Sequence, residues 1–372
     1  MAQLPVLSPF AASLGAGATM IGIILAAYSL ANMVGNVGAG PLIDRYGRKV
    51  GIVGGMATAG IAVALYAVVA SPGQLVALRV LHGVGGAVLV PAAFAYAGDG
   101  AASTRVGRSM GYSGAAVGIA ALIGPAAGGL FRTWFGARPL FITLAALLAL
   151  TAVLVTTLLP ESYHERSVAP DRQLAFRSRI VPVLRSRPLR FVYLALFFVQ
   201  IGMGALAHSL PLRVEALGFS AARTGALFSV FSLVAIALFL SPVSGLSDRY
   251  GRRPFIRIGL ALLAAGLGTA SLSSGMLLLA PAMVLYGAGY GFAFPALCSV
   301  VVDQTDHANR GTGFGVFYAV FSLGVATGPI VAGLALDAGF PPLGIIALLL
   351  LLAQLLLFLA RRSGPRRGCG AP

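Results

Sequence analysis

The sequence predicts an all-α protein that crosses a membrane many times and is built from one helical half used twice. Three observations carry this reading. Charged residues are 10% of the 372 and hydrophobic ones 58%, where a soluble domain averages about 25% charged. Runs free of Asp, Glu, Lys and Arg cover 1–43, 51–78, 80–98, 109–131, 139–160, 191–212, 224–247, 258–302, 311–336 and 338–360. A membrane helix needs roughly 20 such residues, and in hydrocarbon each backbone polar group must be bonded within its own segment. Lastly, Asp44 recurs as Asp248, Gly83 as Gly287, Pro91 as Pro295, Asp99 as Asp303, Gly111 as Gly315, and Gly124-Pro125 as Gly328-Pro329, all at an offset of 204. One offset shared across eighty residues marks an internal duplication.

The spans follow in order. The second runs over 19–41 and the third over 50–70, with Ser71-Pro72-Gly73 as the turn into the fourth at 74–98. The fifth covers 109–131 and the sixth 140–159; the seventh to twelfth occupy 191–212, 223–244, 255–272, 276–300, 312–336 and 341–360. The long run 258–302 divides at Ser271-Leu272-Ser273-Ser274-Gly275. The domains are therefore an N-terminal half at 1–160, a linker at 161–189, a C-terminal half at 190–361 and a basic tail at 362–372. Subtracting 204 from Phe191 puts the counterpart of the seventh span some fourteen residues before Met1. We therefore expect about 11 full spans and an N-terminal stub, the remainder of the first span lying upstream.

The net charge of +16 invites a polyanion as partner, but its placement excludes nucleic acid. Of the 26 basic residues, 21 fall in one alternate set of loops or in the tail, 4 in the other set (Arg132, Arg138, Arg213, Arg223), and Arg79 lies inside a span. That asymmetry places the first set, and the C-terminus, on the cytoplasmic side, and a prokaryotic cytoplasmic membrane is expected. In the linker, Arg172, Arg177, Arg179, Arg185 and Arg187 alternate with apolar residues and suit anionic lipid heads as well as water. Cys298 and Cys369 make no disulfide framework. No enzyme domain, cofactor or metal cluster is indicated, and a monomer is expected.

Between the second and third spans stands Gly40-Pro41-Leu42-Ile43-Asp44-Arg45-Tyr46-Gly47-Arg48-Lys49, with a near copy at 245–253. The fourth span carries Arg79-Val80-Leu81-His82-Gly83, and the fifth contains Gly124-Pro125-Ala126-Ala127-Gly128-Gly129. Across essentially the whole chain, these motifs resemble those of the major facilitator superfamily, whose fold is two pseudo-symmetric halves of six helices. The fifth-span motif resembles that of drug:proton antiporters, although Ala120 stands where that pattern has an upstream Gly. The resemblance implies that Asp44 and Arg48 pair with Asp99, and Asp248 and Arg252 with Asp303. It also sets Asp44 near the start of the eleventh span. Such a latch holds the halves together at the cytoplasmic end and is expected to stabilise an outward-facing state. A purely topological role remains open for these loops.

Arg79 is the one formal charge inside a span, and a central Arg costs about 2.5–3.5 kcal/mol. It is expected to face the cavity between the halves, with snorkelling the other option. His82 lies three residues on along the same face. Tyr28, Asn32 and Asn36 form a stripe on the second span; Tyr286, Tyr290 and Phe294 form one on the tenth, and the seventh carries Gln200 and His208. These residues either line a substrate and proton pathway or bond neighbouring helices. Gly124-Pro125 and Gly328-Pro329 are expected to break two equivalent helices, and Gly128 and Gly129 to admit a close neighbour. No span holds a carboxylate, so protons are implied as partners by resemblance alone. The function expected is proton-coupled efflux of small lipophilic or amphipathic compounds. Uptake or uniport of a sugar or other metabolite, and a non-transporting sensor or relic, stay open.

Overall fold

The structure is a computed structural model and describes residues 1–99, 106–162, 181–241, 243–305 and 310–359. Its helices are α1 (Leu7–Ser13), α2 (Ala18–Tyr46), α3 (Arg48–Tyr66), α4 (Pro72–Asp99), α5 (Val106–Phe135), α6 (Ala137–Leu158), α7 (Arg187–Ala216), α8 (Ala221–Leu240), α9 (Val243–Tyr250), α10 (Arg252–Leu272), α11 (Met276–Asp303), α12 (Arg310–Asp337) and α13 (Pro342–Leu359). Ten of them are long and apolar enough to span a bilayer, and the 18 residues of α13 add about 27 Å of rise. The chain is thus an integral, multi-pass membrane protein. With seven residues, α1 is a stub. Most of the linker and the tail lie outside the described residues.

Helix boundaries depart from expectation where glycine or proline decides them. The expected loop at 40–49 is helical apart from Gly47, where φ of +99° lets α3 start one residue after α2 ends. Gly251, at φ +90°, does the same between α9 and α10. Only glycine adopts such angles without strain. At the other end of α3 the helix stops at Tyr66 rather than 70, because α4 already begins at Pro72, the N-terminal position that proline favours.

The Gly-Pro pairs do not break their helices: α5 runs through Pro125 and α12 through Pro329. Pro125 cannot donate to the carbonyl of Ala121, and the Ser232 hydroxyl of α8 takes that carbonyl at 2.9 Å. Pro329 likewise frees the carbonyl of Val325. There α7 presents Gly204 so closely that an added methyl would strike the oxygen. At Pro125 a donor from the neighbouring helix thus replaces what proline removes, and the helix continues.

Packing repeats the duplication. In the N-terminal bundle α4 lies against α2 and α3, and α3 against α6; in the C-terminal bundle α11 lies against α8 and α10, and α10 against α13. Shifted by 204 residues, these are the same contacts. Close glycine crossings correspond too: Gly55 meets Gly85 backbone to backbone, and Gly259 meets Gly289. The bundles join mainly through two pairs, α2 with α12 and α5 with α8. The duplication interchanges those pairs, as a pseudo-twofold axis between the halves requires.

Candidate functional site

The face where the halves meet has two ends, a basic end carrying Arg48 and Arg252 and a far end carrying the α2 and α8 N-termini. The described contacts between the halves gather toward the far end. Gly22 meets the backbone of Pro329, Gly333 that of Ala18 and Gly225 that of Pro125, each too close for a side chain. Asp337 accepts from the Thr19 N–H at 3.0 Å and the Thr19 hydroxyl at 2.6 Å. Thr133 accepts from the Ala222 N–H at 3.0 Å. His208 Nε2 lies 3.0 Å from the Ala18 carbonyl, and Arg132 pairs with Glu215 at 3.2 Å. Toward the basic end, methyls added at Gly38, Gly40 or Gly315 would meet nothing within 4 Å among the described residues.

Thr133 and Asp337 are themselves 204 residues apart. The duplication therefore built two matched far-end clasps, each capping the first turn of a helix in the opposite half. Neither was visible in the sequence, because Thr133 and Asp337 differ in type. Ser229 and Ser232, which donate to the Leu122 and Ala121 carbonyls, were missed too. A serine in an apolar helix carries no signal until its partner is known.

At the basic end Arg48 pairs with Asp99 at 3.2 Å and Arg252 with Asp303 at 3.3 Å, each within its own half. The side chains of Asp44 and Asp248 lie outside the described residues, and with them the expected contact to the start of α12. One residue that sequence reasoning left in the linker belongs here. The Glu161 carboxylate accepts from the Arg48 N–H at 2.9 Å and the Lys49 N–H at 3.1 Å, capping α3. A methyl added at Gly47 would press on this carboxylate, and the φ of +99° there favours glycine in any case.

Inside the N-terminal bundle the expected residues form one connected polar track. Arg79 is 7% exposed. Its Nε donates to the Ile24 carbonyl at 3.2 Å and its Nη2 to Leu25 at 3.5 Å, while the guanidinium lies 4.6 Å from the Tyr28 ring centre. It is held by α2 and does not snorkel to the surface. His82 Nδ1 is 3.0 Å from the Tyr66 hydroxyl, and its ring stands edge-on to Tyr28 at 5.0 Å. Gly86 leaves the space that the Tyr28 hydroxyl fills. Asn32 donates to the Gly83 carbonyl at 3.4 Å, and Asn36, exposed, donates to Asn32 at 3.0 Å. The track thus descends α2 from Arg79 toward the basic end. Among the described residues no carboxylate lies within it.

The C-terminal bundle presents aromatic surface. Tyr290 and Phe294 stack at 5.2 Å and 9°, with Phe231, Phe239, Phe317 and Phe321 around them. Gln200 and Tyr286 lie off any exposed face: both are 0% exposed, deep in the bundle, with the Tyr286 hydroxyl outside any hydrogen bond. The glycines of the Gly-Pro motifs are packing surface. Gly124 and Gly128 lie against Met1 and Ala2, Gly129 against Ala221, and Gly328 against Ile201.

Comparison with known proteins extends this picture. The model of the family described as Major Facilitator Superfamily matches residues 1–241 and 192–370. Multidrug resistance protein 2 of Bacillus subtilis (strain 168) is 25% identical over 341 residues, covering 90% of this chain and 84% of that protein. Multidrug resistance protein MdtG of Escherichia coli O9:H4 (strain HS) is 26% identical over 341 residues, covering 91% and 82%. Among solved structures, a bacterial homologue of the human lysosomal transporter Spinster, in an inward-facing and occupied conformation, superposes with a TM-score of 0.79 at 16% identity, covering 98% and 93%. The human organic anion transporter MFSD10 (TETRAN) gives 0.64 at 20% identity, covering 94% and 88%.

Proposed function

The chain belongs to the major facilitator superfamily, whose members carry small molecules across membranes and are not enzymes, and from that premise we propose proton-coupled efflux by alternating access. In this reading the two bundles are the moving units, the basic end faces the cytoplasm, and the chain works as a monomer in a prokaryotic cytoplasmic membrane. The observation that carries it is the pair of matched clasps at the far end, Asp337 on Thr19 and Thr133 on Ala222. They close one end of the interface while Arg48–Asp99 and Arg252–Asp303 pair within their own halves at the other. That arrangement suits an inward-open state, which swaps with its mirror when the clasps release.

The cargo suited to it is a small lipophilic or amphipathic compound. The half-buried Tyr290–Phe294 surface supports this, as do the names of the multidrug relatives. The test is export of tetraphenylphosphonium and of neutral aromatic compounds in everted membrane vesicles, with and without a proton gradient. Gradient-dependent movement that a protonophore abolishes is the expected result; movement indifferent to the protonophore removes the coupling. The absence of any carboxylate among the described residues of the track favours a second reading, gradient-independent uniport, and the same protonophore decides between them.

A further inference from the structure

We propose that the cavity beside the Arg132–Glu215 pair binds a small dipolar ion, with a sulfonate or phosphate at one end and an ammonium at the other, and that its filling holds the far end shut. The proposal goes beyond the export reading and stands whether or not the chain exports.

The cavity measures about 230 Å³. At about 30 Å³ for each water it has room for roughly eight, the size of a small amino acid. Arg132 and Thr133 of α5 form one wall; Pro211 and Glu215 of α7, Phe219 in the turn and Thr224 of α8 form the other. Met1 packs about two turns away along α5, against Gly124, and is not among these walls.

Charge selects the occupant. Arg132 donates from Nη2 to Glu215 at 3.2 Å and from Nη1 to the Pro5 carbonyl at 3.4 Å. Those contacts use two of the five guanidinium donors and leave three. Glu215 accepts from Arg132 through Oε1, and its side chain is 54% exposed. A second guanidinium, that of Arg223, lies over Phe219 at 4.4 Å from the ring centre. A simple anion here meets the Glu215 carboxylate, and a simple cation meets two guanidinium groups. A dipolar ion sets its anionic end on Arg132 and its ammonium on Glu215, so each charge gains a charge-assisted hydrogen bond.

The duplication separates this cavity from the needs of closure. At an offset of 204, Arg132 corresponds to Leu336, Pro211 to Leu7, Glu215 to Ala11 and Phe219 to Gly15. The clasps hold a helix start at both junctions, Thr133 on Ala222 and Asp337 on Thr19. Closing a junction therefore takes a clasp, while the charge pair and its aromatic neighbour belong to one junction alone. Because the two walls come from opposite halves, a ligand between them binds the closed far end and stabilises it by linkage.

The experiment uses the full chain with Cys298 and Cys369 replaced by Ser and Thr224→Cys as reporter, in nanodiscs of phosphatidylglycerol. The rate of modification by a membrane-impermeant methanethiosulfonate is compared with and without each of three probes. Taurine carries both charges, isethionate has a hydroxyl in place of the ammonium, and ethanolamine lacks the sulfonate. Taurine at about 10 mM is expected to slow modification about tenfold, as a site with a dissociation constant of roughly 1 mM would. Isethionate should protect less and ethanolamine not at all. Arg132→Gln should abolish protection by taurine, and Glu215→Gln should bring isethionate level with taurine. If Arg132→Gln does not fold, Glu215→Gln, at an exposed side chain, carries the test. Phosphatidylethanolamine in the nanodisc distinguishes two sources of the same chemistry. Arg132-dependent protection by that lipid, with no further effect of taurine, makes the occupant a lipid headgroup; protection by taurine in both membranes makes it a soluble solute. No protection by taurine or by phosphatidylethanolamine, equal protection by taurine and ethanolamine, or a taurine advantage that survives Glu215→Gln overturns the proposal.

Discussion

Asp337, in the last turn of α12, accepts hydrogen bonds from both the backbone N–H and the hydroxyl of Thr19, in the first turn of α2. One half of the protein thereby caps a helix of the other. An ionised carboxylate at a helix N-terminus is favoured by the free N–H groups there. Asp337→Ala should weaken far-end closure. The readout is a cysteine at Thr224, which is 2% exposed, in a chain with Cys298 and Cys369 replaced by Ser. A membrane-impermeant maleimide should label it severalfold faster in the variant. Unchanged labelling would show that the clasp contributes nothing.

Ser232 serves a carbonyl that Pro125 leaves without its helical partner. Removing the hydroxyl leaves a buried acceptor unpaired, which costs about 1–3 kcal/mol. Ser232→Ala should therefore lower the thermal midpoint. Combined with Pro125→Ala, which restores the helical N–H, it should regain part of that loss. Equal midpoints for the single and double variants would contradict the pairing.

Glu161 ties the chain leaving α6 to the first turn of α3. Glu161→Ala should cost about 1 kcal/mol, as loss of a helix N-cap does, and loosen the first turn of α3. Hydrogen exchange at 48–51 should speed up while exchange at 252–255 stays as it was. Equal acceleration at both places would rule out a local cap.

Gly22 meets the Pro329 backbone with no room for a side chain. Gly22→Leu should hold α2 away from α12 and cut transport by more than about tenfold while leaving the N-terminal bundle folded. Wild-type transport in this variant would mean that far-end closure is dispensable.

The fold was legible because it rests on quantities that sequence displays directly: apolar length, charge placement and a repeat offset. The Arg48–Asp99 and Arg252–Asp303 pairs were legible only through the family resemblance that both copies of the loop motif carry. What stayed hidden was the contact surface between the halves. Ser232, Thr133 and Asp337 act on backbone groups, and a backbone partner leaves no mark in residue type. The proline motifs misled as well. Proline's lost hydrogen bond reads as a break until Ser232 is seen to take the free carbonyl. Gln200 and Tyr286 fit the polar spacing of a lining, yet that spacing does not say which side of a buried helix faces the other half.

The account stands or falls on reciprocal movement of the two ends, and spin-label distances measure it directly. One pair of labels replaces Tyr46 and Tyr250 at the basic end; the other replaces Trp134 and Phe340 at the far end, all four exposed. On adding the transported compound and shifting pH, a second population should appear in which the 46–250 distance shortens as the 134–340 distance lengthens. Distances that stay fixed, or that change in the same direction at both ends, would contradict two halves pivoting about a central site.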